Sequence, residues 1–394
     1  MLQPATSAPS VTRQDMLDRA RALAPRFAER AAAAEEARRI PPESVKEMLD
    51  AGLARMLLPA RAGGYGLGFD TWFDVTCELS KADASHGWCA ALITHHAHMV
   101  AQYSEEAQNK VWAGGPDVAV AGAFAPVVQA TPVDGGYRIS GKASPFASGV
   151  DHSTWSVLNG MAHDGQAPEM KFFLVPSSAY TIRDTWFTAG MRGTGSKTIV
   201  TDNVFVPHAL VLKLSDLRDG TGPGCALAAD VIYHTPFFYY APITFVAPMI
   251  GAAQGAYELF RDWTRTRKTM EGTAMAEKTS VQVRMARAAA DIDAAALLVR
   301  RAVAVIDAPE AYCPELLARS VRDFTRASEL TIAAIDAILA MSGTAGFTSS
   351  HPIQRAWRDI HFMSMHISLN SETNFTHFGR MEFGLGSDGS RPFF

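Results

Sequence analysis

The sequence predicts an α+β protein in three consecutive parts, because its hydrophobic periodicity changes twice along the chain. Apolar residues recur at helical spacing before about residue 115 and after about residue 216, and they alternate with polar residues in between. We therefore expect an N-terminal α-helical domain over 1–115, a middle antiparallel β-domain over 116–215 and a C-terminal four-helix bundle over 216–394. A chain of 394 residues also exceeds what one hydrophobic core usually serves.

The composition argues against several classes of function. Charged residues make up 19% of the chain and the formal net charge is −4, which disfavours a nucleic-acid partner because such proteins present a basic face. Residues 1–11 lack the apolar core of a signal peptide, and no long uncharged apolar run indicates a membrane span. Cys77, Cys89, Cys225 and Cys313 have no ligand spacing, so we interpret them as buried thiols in a reducing compartment and expect no metal site. A cytoplasmic protein is expected.

Four helices are predicted in the N-terminal part, over 12–39, 42–53, 71–81 and 86–103. Asp83 or Ser85 is expected to cap the fourth helix, because either side chain can accept a hydrogen bond from a first-turn N–H. The glycine-rich stretch 57–68 is predicted to be a loop, and its glycines do not have the GxGxxG spacing of a dinucleotide-binding turn.

The fourth helix carries an unusual cluster, Thr94-His-His-Ala-His98. Its spacing is not that of HExxH and no carboxylate lies nearby, so a zinc site is not expected. Two interpretations remain open: the histidines are partly exposed on the helix surface, or one of them points into an active site.

The middle part is predicted to contain short strands separated by Gly, Pro and Asp turns, over 118–124, 127–133, 137–140, 155–159, 172–175 and 198–206. Two of its loops have unusual polar content, Ser144–His152 and Gly190–Lys197. A hairpin turn would explain the second loop without a function, but backbone N–H groups in glycine-rich loops also bind flavin and phosphate oxygens.

The C-terminal part begins with an aromatic stretch, Phe237–Pro248, which is either ordinary core or the lining of an apolar substrate pocket. Three long amphipathic helices are predicted over 250–269, 277–306 and 314–341, and a final helix completes the bundle. A glycine turn at Gly343 precedes that helix. The final helix is expected to begin at Ser349 or Ser350, with Pro352 in its first turn.

The final helix is the most informative stretch. At helical spacing Arg355, Arg358 and Asp359 lie near one another, and His366 lies two turns beyond Asp359 on roughly the same face. Such a set of charged and titratable side chains after a glycine turn is more than packing requires. We interpret this stretch, with Gly343 before it, as one wall of a cofactor site.

Five motifs in order, spread over residues 14–379, resemble the acyl-CoA dehydrogenase fold. They are the loop 57–68, the loops Ser144–His152 and Gly190–Lys197, Arg267, and the glycine turn followed by Pro-x-x-Arg-x-x-Arg-Asp at 352–359. The segment that normally holds the dehydrogenase glutamate is Ser371–Arg380 here. His366, together with Ser-Gly-x-Asp-His at 148–152, resembles the oxygenase branch of the fold, the two-component flavin-dependent monooxygenases.

The resemblance implies the oxygenase component of such a monooxygenase. It would take reduced flavin from a separate NAD(P)H:flavin reductase, since the sequence has no strand–GxGxxG–helix unit. Through a flavin hydroperoxide it would oxygenate a small neutral aromatic such as indole or a phenol. FAD, supplied as FADH2, is the expected cofactor, with FMN possible. The family is usually tetrameric, so a homotetramer is expected.

The resemblance also implies roles for particular residues. Ser148 and His366 would support the oxygenated flavin and His96 would serve the substrate, with His95 the alternative to His96 and His361 the rival of His366. The residues assigned to cofactor binding are Ser148, Arg192, Thr194, Ser196, Gly343 and, from a neighbouring subunit, Arg267. The residues assigned to substrate binding are Trp88, Phe237, Phe238 and Tyr239.

Two other functions remain open. A dehydrogenase acting on an acyl-CoA thioester needs a carboxylate base, and Glu372 is the acidic residue of the expected segment. A non-enzymatic helical scaffold would leave Ser148, His152, Arg192 and His366 without a reason. Flavin binding separates an enzyme from a scaffold, and NADH oxidation that requires an added reductase separates an oxygenase from a dehydrogenase.

Overall fold

The computed structural model describes residues 11–163, 168–306 and 312–386. Residues 1–10 lie outside the described residues, and most of the segment used for the signal-peptide prediction falls within them. Helices form both ends of the described chain and a sheet lies between them, so the predicted α+β class is confirmed. Helices give way to strands between Val111 and Val120, and strands give way to helices at Lys213.

The N-terminal part consists of α1 (Arg13–Ala37), α2 (Pro42–Asp50), α3 (Phe69–Ala82), α4 (Ala84–Val100) and α5 (Glu105–Val111). Asp83 is the N-cap of α4, and its side chain accepts a hydrogen bond from the His86 N–H. The short helix α5 is absent from the prediction, because seven residues carry too little periodicity to stand out.

Helix α4 is buried on all sides, between neighbouring helices and the sheet. A helix without a polar face is typical of a core position rather than of the surface. His95, His96 and His98 are accordingly at most 2% exposed. The interpretation of these residues as partly exposed surface histidines is therefore wrong.

The middle part is a seven-stranded sheet in the order β5-β6-β2-β1-β3-β4-β7. Its strands are β1 (Val120–Val133), β2 (Gly136–Ala147), β3 (Trp155–Ala162), β4 (Glu169–Pro176), β5 (Thr181–Arg183), β6 (Lys197–Pro207) and β7 (Val211–Lys213). Neighbouring strands are antiparallel except β1 and β3, which are parallel, so the expected antiparallel domain contains a mixed sheet. The reason is the loop over 148–154, which carries the chain across the start of β1 to its other edge.

Two further differences concern the strands. The segments 118–124 and 127–133, predicted as separate strands, belong to β1, whose pairing with β3 shifts register between Ala123 and Val128. The edge strands β5 and β7 have three residues each, which is too short for an alternating pattern to be recognised.

The C-terminal part begins with α6 (Leu214–Asp219) and α7 (Phe237–Tyr240). The bundle helices are α8 (Ile243–Thr264), α9 (Thr279–Ile306), α10 (Pro314–Gly346), α11 (Pro352–Met363) and α12 (Ser371–Glu382). The aromatic stretch Phe237–Pro248 forms α7 and the start of α8. Helix α10 packs against α8, α9, α11 and α12 and is central to the bundle. By length and composition α10 could also span a membrane, but its buried positions contribute to this core.

The turn between α10 and α11 differs in one detail from the prediction. Gly343 has φ +62° and interrupts the regular course of α10 close to its end. The N-cap of α11 is His351 rather than Ser349 or Ser350, because the His351 imidazole accepts a hydrogen bond from the Ile353 N–H at 3.2 Å.

The end of α11 differs more. The helix stops at Met363, so the prediction that His366 shares a helix face with Asp359 is wrong. His366 instead caps the short 3-10 turn Ile367–Leu369, where its Nδ1 accepts a hydrogen bond from the Ser368 N–H at 3.2 Å. Side-chain hydrogen bonds to nearby backbone compete with continued helix, and apolar spacing does not reveal them.

Glycines allow α8 to lie close against α3. A Cβ atom on Gly251 would overlap the Cys77 carbonyl oxygen, and one on Gly255 would overlap the Lys81 carbonyl oxygen. The neighbouring groups are backbone atoms, which cannot move aside as a flexible side chain can. This contact holds the N-terminal helices against the bundle.

We predict that Gly251→Ala destabilises the protein by about 1–3 kcal/mol, because the added methyl group forces α3 and α8 apart. Gly379→Ala is the matched control, since Gly379 lies in α12 with nothing within 4 Å of its Cβ position. In a helix that change should be neutral or stabilising by up to about 1 kcal/mol. Chemical denaturation of both variants measures the difference. Equal stability of the two variants would contradict the close packing.

Candidate active site

A cavity of about 1200 Å³ lies between the sheet, α4, α8 and the segment that follows α11. Its wall is mostly apolar. The aromatic residues that line it are Trp88, Phe124, Phe146, Phe172, Trp186, Phe237, Phe238, Phe245 and Phe362. Several of the site residues predicted from the sequence line this cavity. They are Trp88, His95, His96, Ser148, Thr194, Ser196, Phe237, Phe238 and His366. These residues come from α4, two loops of the β-domain, α7 and the segment after α11.

A chain of hydrogen-bonded hydroxyl groups forms one wall. The Trp88 Nε1–H donates to Ser148 Oγ at 3.0 Å, and Ser148 Oγ lies 2.6 Å from Ser196 Oγ. Ser196 Oγ lies 2.7 Å from Thr194 Oγ1, which donates to the Met191 carbonyl oxygen at 2.9 Å. The two polar loops predicted from the sequence are therefore joined side chain to side chain.

The Met191 backbone anchors this wall. Met191 has φ +53°, a left-handed conformation that a non-glycine residue adopts only when its surroundings enforce it. Its N–H donates to the Asp359 carboxylate of α11 at 2.5 Å, and its carbonyl oxygen also accepts from the Trp186 Nε1–H at 2.9 Å. Asp359 is buried, and that burial, followed by the nearby charge of Asp83, raises the pKa of Asp359 to about 7.

Arg355 and Arg358 have a different role from the one expected. Arg358 forms an ion pair with Glu35 at 2.5 Å and donates to the Ala189 carbonyl oxygen at 2.6 Å. Arg355 lies 3.7 Å from the Asp83 carboxylate. Neither arginine lines the cavity. The side chains that reach the cavity from this stretch are Phe362, Met363, Met365 and His366, so the charged residues support the wall from behind.

His96 presents an acceptor to the cavity. Its Nδ1 lies 2.7 Å from the Val120 carbonyl oxygen and must donate to it, so Nε2 carries the lone pair of the neutral ring. Burial lowers the pKa of His96 to about 4, which keeps the ring neutral near pH 7. A Cβ atom on Gly122 would lie 2.7 Å from Nε2, so the glycine leaves that nitrogen accessible.

His366 presents a donor to the same cavity. Its Nδ1 accepts from the Ser368 N–H, so the neutral ring carries its proton on Nε2. The ring stacks on Phe245 with 3.5 Å between centroids, and Trp88 lies edge-on at 6.3 Å. This apolar setting lowers the pKa of His366 to about 4. Two neutral imidazoles of opposite hydrogen-bonding character therefore line one cavity.

The two alternative histidines, His361 and His95, make different contacts from His366 and His96. His361 lies 2.8 Å from the Asp336 carboxylate at the surface, contacts the tilted ring of Trp357 and does not line the cavity. His95 lines the cavity, but its Nδ1 is hydrogen-bonded to Thr244 Oγ1, with 2.9 Å between the two atoms. Its Nε2 is buried without a hydrogen-bond partner among the described residues.

Four other predicted residues lie apart from the cavity lining or at its margin. Tyr239 points away, and its hydroxyl donates to the Cys313 carbonyl oxygen at 2.8 Å. Gly343 is exposed, with nothing within 4 Å of its Cβ position. Arg267 lies over the Trp263 ring at 3.9 Å, outside the cavity. Arg192 immediately follows Met191 and is half-buried.

Among the cavity residues that were not assigned to the site from the sequence, three have unusual features. Phe146 has φ +66° and is 64% exposed, although it is a bulky aromatic residue. Asn159 is buried on β3, and its Oδ1 has no hydrogen-bond partner among the described residues. Trp186 holds the Met191 carbonyl oxygen. Phe146 lies within a loop that the sequence singled out, but no residue pattern signals a positive φ at phenylalanine.

The cavity has the features that a flavin requires. Its aromatic walls suit a flat ring, and its hydroxyl groups suit the polar edge of that ring. Outside the cavity lining, Arg192 Nε and Arg267 Nη1 are buried N–H donors without a hydrogen-bond partner among the described residues, and donors of this kind are available to a phosphate group. Among the described residues, no group of His, Cys, Asp and Glu side chains is arranged to hold a metal ion.

The sequence matches known families at both ends. Residues 10–115 match the N-terminal domain of acyl-CoA dehydrogenase, and residues 243–371 match the C-terminal domain of acyl-CoA dehydrogenase.

Individual relatives are similar over almost the whole chain. The chain is 35% identical to the flavin-dependent monooxygenase, oxygenase subunit HsaA, of Rhodococcus jostii (strain RHA1), over 94% of this chain and 98% of that protein. It is 36% identical to the FADH(2)-dependent resorcinol hydroxylase, oxygenase component, of Rhizobium sp. (strain MTP-10005), over 98% of each. The solved structure of XiaF from Streptomyces sp. in complex with FADH2 and glycerol has a TM-score of 0.88 and 28% identity, covering 96% of this chain and 97% of that one.

Proposed function

The chain belongs to the acyl-CoA dehydrogenase family, in the branch of flavin-dependent monooxygenase oxygenase subunits, and on this premise we propose how its cavity works and on what it acts. It is the oxygenase component of a two-component system that uses reduced flavin from a separate reductase and O2 to oxygenate an aromatic substrate. Its preferred flavin is proposed to be FAD rather than FMN. The four free thiols fit the reducing, cytoplasmic setting that we propose for it.

The proposed substrate is a phenol. The supporting observation is the pair of neutral imidazoles in one apolar cavity. One of the two, His96, provides the acceptor that the hydroxyl group of a phenol needs. His96 Nε2 is such an acceptor and lies among Phe124, Phe237 and Gly122. A hydrogen bond from the phenol to Nε2 increases electron density on the ring carbons, which favours attack on an electrophilic oxygen. Indole, whose N–H could use the same acceptor, is the alternative substrate.

His366 is proposed to act on the oxygen side. A bound reduced flavin would supply the two electrons that activate O2, so that one oxygen atom enters the substrate and the other leaves as water. His366 Nε2–H faces the cavity as a fixed donor, so it can hold an oxygen atom there by a hydrogen bond. Stacking on Phe245 fixes the ring, and the aromatic lining keeps water away from the donor.

The flavin is proposed to lie along the wall that carries the hydroxyl chain. Ser148 would be the partner of the redox-active ring nitrogen N5, and Arg192 with its unpartnered Nε would bind an oxygen of the ring or phosphate. Trp186 and Phe362 are 5.5 Å apart and offer aromatic surface beside this wall. Glu372, the base that a dehydrogenase would need, is an exposed residue in the first turn of α12 that also contributes to the cavity lining.

The assembly is proposed to be a homotetramer in which Arg267 binds the flavin pyrophosphate of a neighbouring subunit. Arg267 lies outside the cavity of its own chain, yet its Nη1 is buried and unpartnered among the described residues. We predict that Arg267→Ala weakens binding of FAD more than that of FMN, because FMN has no pyrophosphate. Fluorescence titration with each flavin measures this, with light scattering as the check on assembly. A monomer, or equal loss for both flavins, would contradict the proposal.

For the substrate, we predict turnover of phenols but not of their methyl ethers when reduced flavin is supplied by a generic flavin reductase. A site that binds a hydroxyl group leaves its acceptor unpaired when that group cannot donate. His96→Phe should remove most of this discrimination, because the acceptor is lost while the aromatic wall is retained. Product analysis over a panel of phenols, their ethers and indole measures it. Equal turnover of phenols and ethers by the unaltered protein would refute the role of His96.

For the hydrogen-bond donor His366, we predict that His366→Ala loses product formation by roughly 100-fold, since one preorganised donor contributes about 3 kcal/mol to such a barrier. Reduced flavin should still be consumed, with H2O2 replacing the hydroxylated product. His361→Ala is the control, because His361 pairs with Asp336 at the surface and should leave coupling unchanged. The ratio of product to H2O2 measures the effect. Normal coupling in the His366 variant would remove that residue from the mechanism.

A further inference from the structure

The hydroxyl chain has a direction that follows from counting its hydrogens. At one end the Trp88 Nε1–H can only donate, and at the other the Met191 carbonyl oxygen can only accept. Each hydroxyl group between them has a single hydrogen. The arrangement that satisfies every contact therefore has Ser148 donating to Ser196, Ser196 to Thr194, and Thr194 to Met191.

In this forward arrangement Ser148 offers the cavity a lone pair and no hydrogen. One of its lone pairs accepts from Trp88, its hydrogen is given to Ser196, and one lone pair is left for a ligand. Ser148 can offer its hydrogen to a ligand only if the chain reverses. Thr194 then donates to Ser196 and Ser196 to Ser148, which costs the hydrogen bond from Thr194 to the Met191 carbonyl oxygen.

The two arrangements therefore match different ligands. With a ligand present, the chain and its bond to the ligand amount to five hydrogen bonds when the ligand donates and the chain is in the forward arrangement. They amount to four when the ligand accepts and the chain is reversed. Reduced flavin carries a hydrogen on ring nitrogen N5 and is a donor there, whereas oxidised flavin has a bare nitrogen and is an acceptor. The anchored chain thus favours the reduced ring by about one hydrogen bond.

We propose that Thr194 and Ser196 are positioning residues that select reduced over oxidised flavin, by holding the Ser148 hydroxyl in its accepting orientation. The proposal rests on the proposed function, in which Ser148 is the partner of N5. It requires only rotation of three hydroxyl groups. For an oxygenase that receives reduced flavin from a separate reductase, this preference would let the spent oxidised flavin leave.

The test is the ratio of dissociation constants for oxidised and reduced FAD, measured anaerobically for the reduced form. Thr194→Val leaves Ser196 without an acceptor, so Ser196 can either accept from Ser148, when the flavin donates, or donate to Ser148, when the flavin accepts. Bond counting then gives three bonds for either flavin. The ratio should fall by roughly 3- to 10-fold, the effect of about one hydrogen bond. Ser196→Ala cuts the chain and should lower the ratio to a similar extent.

The double variant separates this relay from direct contacts. If Thr194 acts through Ser196, Thr194→Val has no further effect once Ser196→Ala is present, and the two changes are not additive. Additive changes would mean that each side chain contacts the flavin on its own, and would overturn the proposal.

Two controls complete the test. Thr194→Ser retains the hydroxyl group and should keep the ratio of the unaltered protein. Thr198→Val removes a hydroxyl group near the start of β6 that, among the described residues, pairs with Thr185 Oγ1 at 2.7 Å, and should also keep it. An unchanged ratio in Thr194→Val, with both flavins still bound, would refute this inference alone. Failure of the unaltered protein to bind either flavin would refute the proposed function as well.

Discussion

The hydrogen bond between the Met191 N–H and the buried Asp359 carboxylate is the contact on which the active-site wall depends. It joins α11 of the bundle to a loop of the β-domain, and it holds Met191 in a left-handed conformation that is unfavourable for a methionine. The Met191 carbonyl oxygen then terminates the hydroxyl chain. Because Asp359 is surrounded by Arg358, Glu35 and Asp83, helices from both ends of the chain contribute to fixing one peptide group.

Burial determines the chemistry of the cavity as much as the identity of its residues does. His96 and His366 are neutral because low polarity disfavours the charged ring, and each is held in one tautomer by a backbone group. The backbone contacts are of opposite kind, a carbonyl oxygen for His96 and an N–H for His366. One residue type thereby supplies the cavity with both an acceptor and a donor, and neither ring carries a charge.

The same fold serves dehydrogenases and oxygenases, and here the difference lies in the segment between α11 and α12. The helix α11 ends at Met363, and the turn that follows brings His366 to the cavity, while Glu372, at the start of α12, lines the cavity from an exposed position. The aromatic lining contributed by α4, α7 and α8 restricts the space to a flat, apolar substrate beside the flavin. Scaffold and site are thus separable: the helices and sheet form the cavity, and a few loop residues decide its reaction.

The sequence by itself determined the order of the helical and β-sheet parts, the turn at Gly343 and the family, because these depend on local spacing and on motifs in order, and it narrowed the N-cap of α4 to Asp83 or Ser85. It also identified both polar loops, and most of the residues assigned to the site from the sequence line the cavity. The tertiary structure alone decided the parallel pairing of β1 with β3, the departure of His366 from α11, and the placement of Arg355 and Arg358 behind the wall. It likewise decided the tautomers of His96 and His366. The physical reason is that each of these features depends on a polar contact. Some of the contacts are hydrogen bonds or ion pairs with residues distant in sequence, and the others are local hydrogen bonds between a side chain and the backbone. Hydrophobic periodicity reveals neither kind of contact.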